Sequence, residues 1–201
     1  AACAAGAAYK GRAAGSLGVA GAFSFHPRKS ITTGEGGMIT TNDEALADKM
    51  RILRNHGASV SEEQRHLGPK PYILPEFNLL GFNYRMTDLQ GAVGLVQLAK
   101  LDSLLQERRQ WSDYYHQQLA SLDWLQTPNV PPEYDHGWQA YECSLADTRP
   151  PMPRNDLMDT LQASGTISPS WIHAVHTQWY FRERFMVVSN YSPWAWSSAC
   201  Y

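Results

Sequence analysis

The stretch FSFHPRKSITTGEGGMITTND, Phe23 to Asp43, places one lysine in a polar loop between two segments with strand character. Small and aromatic residues in GVAGAFSF, Gly18 to Phe25, predict a buried strand. GGMITT, Gly36 to Thr41, predicts a second strand, because it opens on glycine and carries β-branched residues. We therefore predict a strand–loop–strand unit whose loop presents Lys29.

Two interpretations of this loop are open on spacing alone. A strand, a glycine-rich loop and a second strand often form a purely structural hairpin, in which the lysine is solvated. A lysine that bonds covalently to an aldehyde cofactor such as pyridoxal phosphate would need a phosphate-binding group nearby, and Ser24 supplies a hydroxyl at the strand end. Gly34, Gly36 and Gly37 would let the backbone approach a ligand closely.

Composition limits the classes of partner. The chain has 201 residues, 43% of them hydrophobic and 18% charged, with a formal net charge of −2. This is typical of a soluble globular protein, and it argues against a nucleic-acid or polybasic membrane surface. No apolar run approaches the roughly 20 residues that a membrane span requires. The start, AACAAGAAYKGR, does not resemble a signal peptide.

The three cysteines are Cys3, Cys143 and Cys200. They are far apart and lack the spacing of a metal site, so no metal is predicted. Such thiols suit a reducing compartment, and we expect a cytoplasmic protein. His173 and His176 without a third ligand are weak evidence for a metal.

Helical patterns follow the lysine loop. Asn42 or Asp43 can cap a helix that ends at Gly57, and the polar, Pro/Gly-broken segment Ala58 to Phe77 predicts a loop. Thr87 followed by Gln90 forms a capping-box signature. The helix that begins there continues with apolar residues on one face (Leu89, Val93 and Val96) and is expected to kink near Leu101.

We predict three parts. Residues 1–100 form the C-terminal part of a large domain, residues 101–125 a bridging helix, and residues 126–201 a small α+β domain that is incomplete or aberrant after about residue 185. PNVPPEYDHG, Pro128 to Gly137, reads as a linker. The small domain should contain a strand over Trp138–Leu145, a helix over Asn155–Ala163 that Gly165 stops, and an extended piece to His173. Both chain ends look unlike domain boundaries, so a fragment is expected.

The string YKGRAAGSLGVAGAFSFHPRKSITTGEGGMITTNDEALADKMRILRNHG resembles the cofactor-lysine region of the DegT/DnrJ/EryC1/StrS family of sugar aminotransferases. GFNYRMTDLQGAVGLVQLAKLD resembles the second signature of that family, with His56-Gly57 between the two. The similarity runs nearly ungapped from Ala1 to about Leu122, and more loosely through GTISPSWIHAVHTQWYFRERF. It implies an α/β, fold-type-I, pyridoxal-phosphate-dependent transferase (aspartate aminotransferase-like), present here in part.

The resemblance also implies roles for individual residues. Lys29 matches the lysine that forms the imine with pyridoxal 5'-phosphate and shuttles the proton, and Ser24 matches the hydroxyl that binds the cofactor phosphate. Asn83, with Arg85, falls in the loop that reaches the cofactor phosphate of the neighbouring subunit, which implies a homodimer with shared active sites. His176 matches a histidine near the sugar nucleotide, but a packing histidine is an equal alternative.

The sequence also departs from the family. In the family, the aspartate that pairs with the pyridine nitrogen of the cofactor stands immediately before the residues that match Ala1 and Ala2. This sequence begins one residue after that position. Cys3 stands where the family more often has Gln or His near the phenolic oxygen of the cofactor. Trp171 and Ala174 replace an expected His and Pro, and the resemblance ends at Met186.

The implied reaction is transamination of a nucleotide-linked keto sugar by an amino-acid donor such as glutamate, as in polysaccharide biosynthesis. It is expected of the full-length parent and not of this chain alone. A related branch that replaces the lysine with histidine and dehydrates its substrate is disfavoured by Lys29. NYRMTD disfavours enzymes that act on amino acids alone. A non-catalytic or regulatory relative that keeps the fold and binds a sugar nucleotide or cofactor is the remaining alternative.

Overall fold

The computed structural model describes residues 1–60, 62–146 and 150–166, together with residues 179, 183 and 184. Among these residues the strands are β1 (Ala8–Tyr9), β2 (Arg12–Ala13), β3 (Gly21–Ser24), β4 (Gly37–Thr40), β5 (Leu125–Gln126), β6 (Tyr134–Asp135) and β7 (Ser144–Leu145). The helices are α1 (Glu44–Arg54), α2 (Glu62–Leu67), α3 (Asp88–Ala99), α4 (Leu101–Leu119) and α5 (Arg154–Ala163).

The two strands predicted around the lysine loop are confirmed. β3 and β4 pair antiparallel, with Gly21 opposite Thr40 and Ser24 opposite Gly37. Both strands are shorter than the sequence pattern predicted. The hairpin therefore ends at Ser24, and the long connection to Gly37 is left free to carry Lys29.

Helix α1 begins as predicted. The side chain of Asp43 accepts a hydrogen bond from the N–H of Leu46, which satisfies one of the free donors at the helix start. At the other end, Gly57 has φ of +81° and its N–H donates to the carbonyl of Ile52. Only glycine adopts this left-handed geometry without strain, so the helix stops here.

The prediction of an unbroken loop over Ala58 to Phe77 is wrong, because the segment contains α2. The backbone that follows this segment passes close to the backbone that precedes it, and the two stretches approach each other at Gly57 and Gly81. A Cβ on Gly57 would lie 1.8 Å from the carbonyl oxygen of Leu79, and one on Gly81 would lie 2.1 Å from the nitrogen of Gly57. Glycine is therefore needed at both positions, because a side chain on either residue would collide with the other stretch of backbone.

The capping box of α3 is confirmed. Thr87 accepts from the N–H of Gln90 at 3.2 Å, and the Gln90 side chain accepts from the N–H of Thr87 at 3.0 Å. The expected kink near Leu101 is a break at Lys100, which ends α3 before α4 begins. The predicted apolar face of α3 is largely exposed in this chain (Leu89 82%, Val93 49% and Val96 57%).

The segment Pro128 to Gly137 is not only a linker. It contains β6, which pairs antiparallel with β1 and extends the three-stranded order β2-β1-β6. The ring of Tyr134 lies against that of Tyr9, with centroids 4.6 Å apart. The proline-rich composition could not show that the segment returns to the N-terminal residues.

The strand predicted over Trp138–Leu145 is also shorter than expected. Trp138 has φ of +44°, which is incompatible with an extended strand, and only β7 remains. β7 pairs antiparallel with β5. The predicted helix is confirmed as α5, and Gly165 follows it with φ of +83°. The extended piece predicted to His173 lies outside the described residues.

The chain divides into two compact units. One comprises Ala1–Gln110 and Val130–Gln139, and the other Trp111–Asn129 and Ala140–Tyr201. Buried apolar residues are sparse among the described residues: Ile31, Ala58, Leu105 and Ala146. In the part of the chain that the structure describes, none of the helices has the length and apolar character that a membrane crossing requires.

Candidate functional site

The lysine loop is closed at its base by backbone hydrogen bonds. The N–H of Phe25 donates to the carbonyl of Gly36 at 2.9 Å, and the N–H of Thr33 donates to the carbonyl of Phe25 at 3.1 Å. The hydroxyl of Thr32 donates to the same Phe25 carbonyl at 2.9 Å. The loop is therefore a fixed structure and not an open hairpin connection.

Lys29 lies at the end of a tight turn within this loop. Its N–H donates to the carbonyl of His26 at 2.9 Å. The side chain is half-buried, and its Nζ donates to the Sγ of Cys3 at 2.9 Å. Within the described residues no carboxylate lies within ion-pairing distance of Lys29, so the amine faces a thiol and not a counter-ion.

Gln139 holds the residues on both sides of the lysine. Its Nε2 donates to the carbonyl of Arg28, and its Oε1 accepts from the hydroxyl of Ser30 at 3.1 Å. Ser30 is buried. Sequence reasoning missed Gln139, because it lies in a segment predicted as a strand, and nothing in that pattern connects it to the loop.

Ser24 is placed at the end of β3, where the loop begins. Its Oγ accepts a hydrogen bond from the N–H of His26 at 3.4 Å, which is long for such a bond. Among the described residues, the Ser24 hydroxyl makes no other hydrogen bond, and in this one it only accepts. The hydroxyl proton is therefore available to an acceptor such as a phosphate oxygen.

Helix α3 supports the loop from the other side. The side chain of Gln90 donates to the carbonyl of Glu35 at 2.9 Å, and that of Gln97 accepts from the N–H of Thr32 at 3.4 Å. A cavity of about 340 Å³ lies between the loop, β4 and α3. Most of its lining is apolar (Phe25, Ile31, Met38, Met86, Leu95 and Leu98). Thr32, Thr33 and Gln97 also line it, but its surface is almost entirely apolar, so the cavity has the character of packing space and not of a polar substrate site.

Asn83 and Arg85 lie together in a second loop, which is fixed to the end of α1. The N–H groups of Phe82 and Tyr84 donate to the carbonyls of Leu53 and Arg54, at 2.7 and 2.9 Å. These carbonyls belong to the last turn of the helix, where no intrahelical partner is available.

The two polar residues of this second loop are exposed. Arg85 donates to the Oδ1 of Asn55 at 2.8 Å, and Asn83 forms a β-bridge with Asn55. Among the described residues no hydrogen bond joins Asn83 or Arg85 to Ser24 or Lys29. The structure thus places Ser24 and Lys29 at the lysine loop and Asn83 and Arg85 in the second loop, and His176 lies outside the described residues.

Tyr141 and Cys143 lie in the other compact unit and have raised pKa values. Burial raises the pKa of the Cys143 thiol, and burial together with the charge of Cys143 raises the pKa of Tyr141. In the described ranges, no group of three or more His, Cys, Asp or Glu residues is arranged to hold a metal ion.

Comparison with solved structures identifies similar folds. An aminotransferase from Psychrobacter cryohalolentis is 27% identical with a TM-score of 0.85, over 97% of this chain and 52% of that one. The Streptococcus pneumoniae protein Spr1654 in its PMP form is 25% identical with a TM-score of 0.85, over 98% and 50%. S. venezuelae DesV is 29% identical with a TM-score of 0.77, over 98% and 48%.

These similarities confirm the predicted α/β fold of type-I pyridoxal-phosphate-dependent transferases, present here in part. Spr1654 has also been solved in a PLP form, and pyridoxal phosphate is the cofactor of this group of proteins. This chain spans about half the length of the solved structures it matches. Residues 1–200 match the family described as DegT/DnrJ/EryC1/StrS aminotransferases. The chain therefore belongs to the DegT/DnrJ/EryC1/StrS aminotransferase family.

Proposed function

We propose that this chain supplies the cofactor lysine of an enzyme that transfers an amino group from an amino-acid donor, such as glutamate, to a nucleotide-linked keto sugar. The observation that supports this most directly is the half-buried Lys29, held on a closed turn within the lysine region of an aminotransferase family. The activity is proposed for the whole protein, since this chain spans about half of its solved relatives. For the 201-residue chain alone we expect no turnover.

The residues present fit pyridoxal phosphate at two of its groups. When bound, the cofactor supplies an aldehyde and an electron sink. The Nζ of Lys29 is a primary amine without a carboxylate partner among the described residues, so it can attack an aldehyde carbon when neutral. The hydroxyl of Ser24 can donate to a phosphate oxygen. We therefore assign Lys29 to covalent attachment and Ser24 to phosphate binding.

Lys29 would also move the proton of the reaction. Once the amino donor has displaced it, the free Nζ could accept the proton from the donor α-carbon and deliver it to the former aldehyde carbon, two bonds away. This is general acid–base work, and it requires an amine held within reach of both positions. The turn closed by His26 and the hydrogen bonds of Gln139 with Arg28 and Ser30 (the Gln139 clamp) restrict the backbone at Lys29. The reach of Nζ therefore depends mainly on the rotamers of the lysine side chain.

We further propose that Asn83 and Arg85 serve the cofactor phosphate of a neighbouring subunit in a homodimer. The two residues are exposed and have no hydrogen bond to the lysine loop of their own chain within the described residues. Beside them the rings of Phe82 and Tyr84 stack with centroids 5.0 Å apart, while remaining 49% and 72% exposed. Exposed aromatic rings beside polar groups are typical of an interface.

The remaining assignments follow the family. His176 is proposed to contact the sugar nucleotide. Residues 1–100 are proposed to belong to the large cofactor-binding domain, residues 101–125 to a bridging helix and residues 126–201 to a small domain. We place the protein in the cytoplasm, without nucleic-acid or membrane partners.

Borohydride trapping tests the central proposal. Because the activity needs the whole protein, the chain would be fused behind the N-terminal half of the Psychrobacter relative. The fusion is incubated with pyridoxal phosphate, reduced with sodium borohydride and mapped by mass spectrometry. We expect the reduced adduct on Lys29, and we expect Lys29→Ala to abolish both the adduct and the transfer of amino groups. Lys10→Ala is the matched control, because Lys10 is an exposed lysine paired with Glu133.

A folded fusion that carries no adduct on Lys29, or carries it equally on Lys10, would contradict the proposal. If Lys29→Ala loses the adduct while the function of the protein in the cell persists, the protein is instead a non-catalytic or regulatory relative that keeps the fold and binds a sugar nucleotide or cofactor. Folding of each variant is checked by circular dichroism.

The dimer is tested by light scattering after gel filtration. The double substitution Phe82→Ser and Tyr84→Ser should shift the fusion from dimer to monomer, because it removes the exposed aromatic surface. Leu67→Ser is the control, since Leu67 is 81% exposed but lies in α2. A double variant that stays dimeric would remove Phe82 and Tyr84 from the proposed interface.

A further inference from the structure

The contact between Cys3 and Lys29 has a chemistry of its own. The Sγ and Nζ atoms lie 2.9 Å apart, and the two residues come from chain positions 26 residues apart. The contact places an oxidisable thiol directly beside a primary amine, which is a nitrogen nucleophile. Neither atom has a second side-chain partner in the described part of the chain.

Both partners are held by backbone turns. Cys3 lies in a turn in which the N–H of Ala4 donates to the carbonyl of Ala1 at 3.0 Å, and Lys29 lies in the turn from His26. Cys3 is exposed, whereas Cys143 is only partly exposed. A small oxidant can therefore reach Cys3, and the product forms directly beside the amine.

We propose that Cys3 and Lys29 are an oxidative modification site, at which a hydroperoxide converts the pair into a sulfur–nitrogen cross-link. In the first step the Cys3 sulfur attacks one peroxide oxygen. The O–O bond breaks, sulfur is oxidised by two electrons to the sulfenic acid, and the peroxide is reduced to water or an alcohol.

In the second step the neutral Nζ attacks the sulfenic sulfur. An S–N bond forms, the S–O bond breaks, and the oxygen leaves as water with a proton from the amine. Sulfenic acids are known to condense with a backbone nitrogen to a sulfenamide, and here the nitrogen is the Lys29 amine. The protein as a whole loses two hydrogen atoms. Two equivalents of an external thiol reverse the link, regenerating the thiol and the amine and leaving one external disulfide.

The consequence rests on the proposed function. A cross-linked Lys29 has no free amine for the cofactor aldehyde, so the link would reversibly block cofactor attachment. The cross-link itself does not depend on the cofactor and can be tested on the 201-residue chain.

The experiment uses the chain with Cys200→Ser, so that Cys3 and Cys143 are its thiols. Protein treated with hydrogen peroxide is digested and mapped by mass spectrometry, with and without dithiothreitol. We expect a product lighter by two hydrogens, in which the peptides containing Cys3 and Lys29 are joined, and we expect dithiothreitol to separate them. Cys143→Ser should retain the product, whereas Cys3→Ser should lose it.

Dimedone, which traps sulfenic acids, gives a second readout that does not depend on recovering the joined peptide. Lys29→Arg keeps the positive charge but removes the amine nucleophile. We expect dimedone labelling of Cys3 to be on the order of tenfold greater in Lys29→Arg, because a tethered amine in contact outcompetes a dilute reagent. Cys143 labelling should not change.

Equal dimedone labelling of Cys3 in the two proteins, a Cys3–Cys143 disulfide in place of the joined peptide, or a Cys3 that peroxide leaves reduced would each overturn the inference. These outcomes leave the borohydride test of Lys29 unaffected. Conversely, an absent cofactor adduct together with a present cross-link would remove the proposed function and keep the modification site.

Discussion

Replacing Gln139 by alanine should destabilise the loop that carries Lys29. The substitution removes the hydrogen bond to the Arg28 carbonyl and the one from the Ser30 hydroxyl. A typical hydrogen bond contributes about 1 kcal/mol net, and a buried polar group left without a partner costs about 1–3 kcal/mol. Ser30 is 9% exposed, so its hydroxyl would be stranded. We expect a loss of about 2–3 kcal/mol in the free energy of unfolding.

Urea unfolding measures this loss. With a denaturant slope of about 2 kcal/mol per molar urea, the midpoint should fall by about 1 M. Gln106→Ala is the matched control, because Gln106 is an exposed residue of α4. Its substitution should change the free energy of unfolding by less than about 0.5 kcal/mol.

A double-mutant cycle measures the interaction energy between Gln139 and Ser30 within the Gln139 clamp. Ser30→Ala removes the hydroxyl that Gln139→Ala would strand, so the double variant should be about 1 kcal/mol more stable than the sum of the two single losses predicts. If the two losses add within about 0.3 kcal/mol, or if Gln139→Ala behaves like Gln106→Ala, the clamp does not hold the lysine turn.

Three further results are expected. Gly57→Ala should cost more than about 3 kcal/mol in urea unfolding, because the positive φ and the facing backbone both exclude a Cβ, whereas Gly11→Ala, with positive φ but open space, should cost only about 1 kcal/mol. Thr87→Ala should cost about 1 kcal/mol through loss of the cap of α3, and Thr87→Ser should restore most of it. Because burial raises the pKa of the Cys143 thiol, its alkylation by iodoacetamide should be slow at about pH 8 and should keep rising above the ordinary thiol range. The folded chain holds that proton to higher pH than the unfolded chain. The associated stability is therefore complete below the unfolded pKa and is lost as the pH rises through the folded pKa, which urea midpoints across this range would show.

Local sequence determined the elements whose partners are close along the chain. The β3–β4 hairpin, the Asp43 cap of α1 and the capping box at Thr87 all depend on residues a few positions apart. Their backbone donors and acceptors are satisfied locally, so residue type and spacing are sufficient to predict them. The family similarity likewise resides in short contiguous motifs.

Only the tertiary structure decided which distant residues meet. Gln139 reaches Ser30 across 109 residues, and β6 joins β1 from a segment whose composition indicates a linker. Such contacts carry no periodic signal, because each depends on one side chain or two residues of backbone. The same limit applies to the apolar face of α3. Sequence spacing identifies the face, but whether another surface covers it depends on packing, and in this chain Leu89 is left 82% exposed.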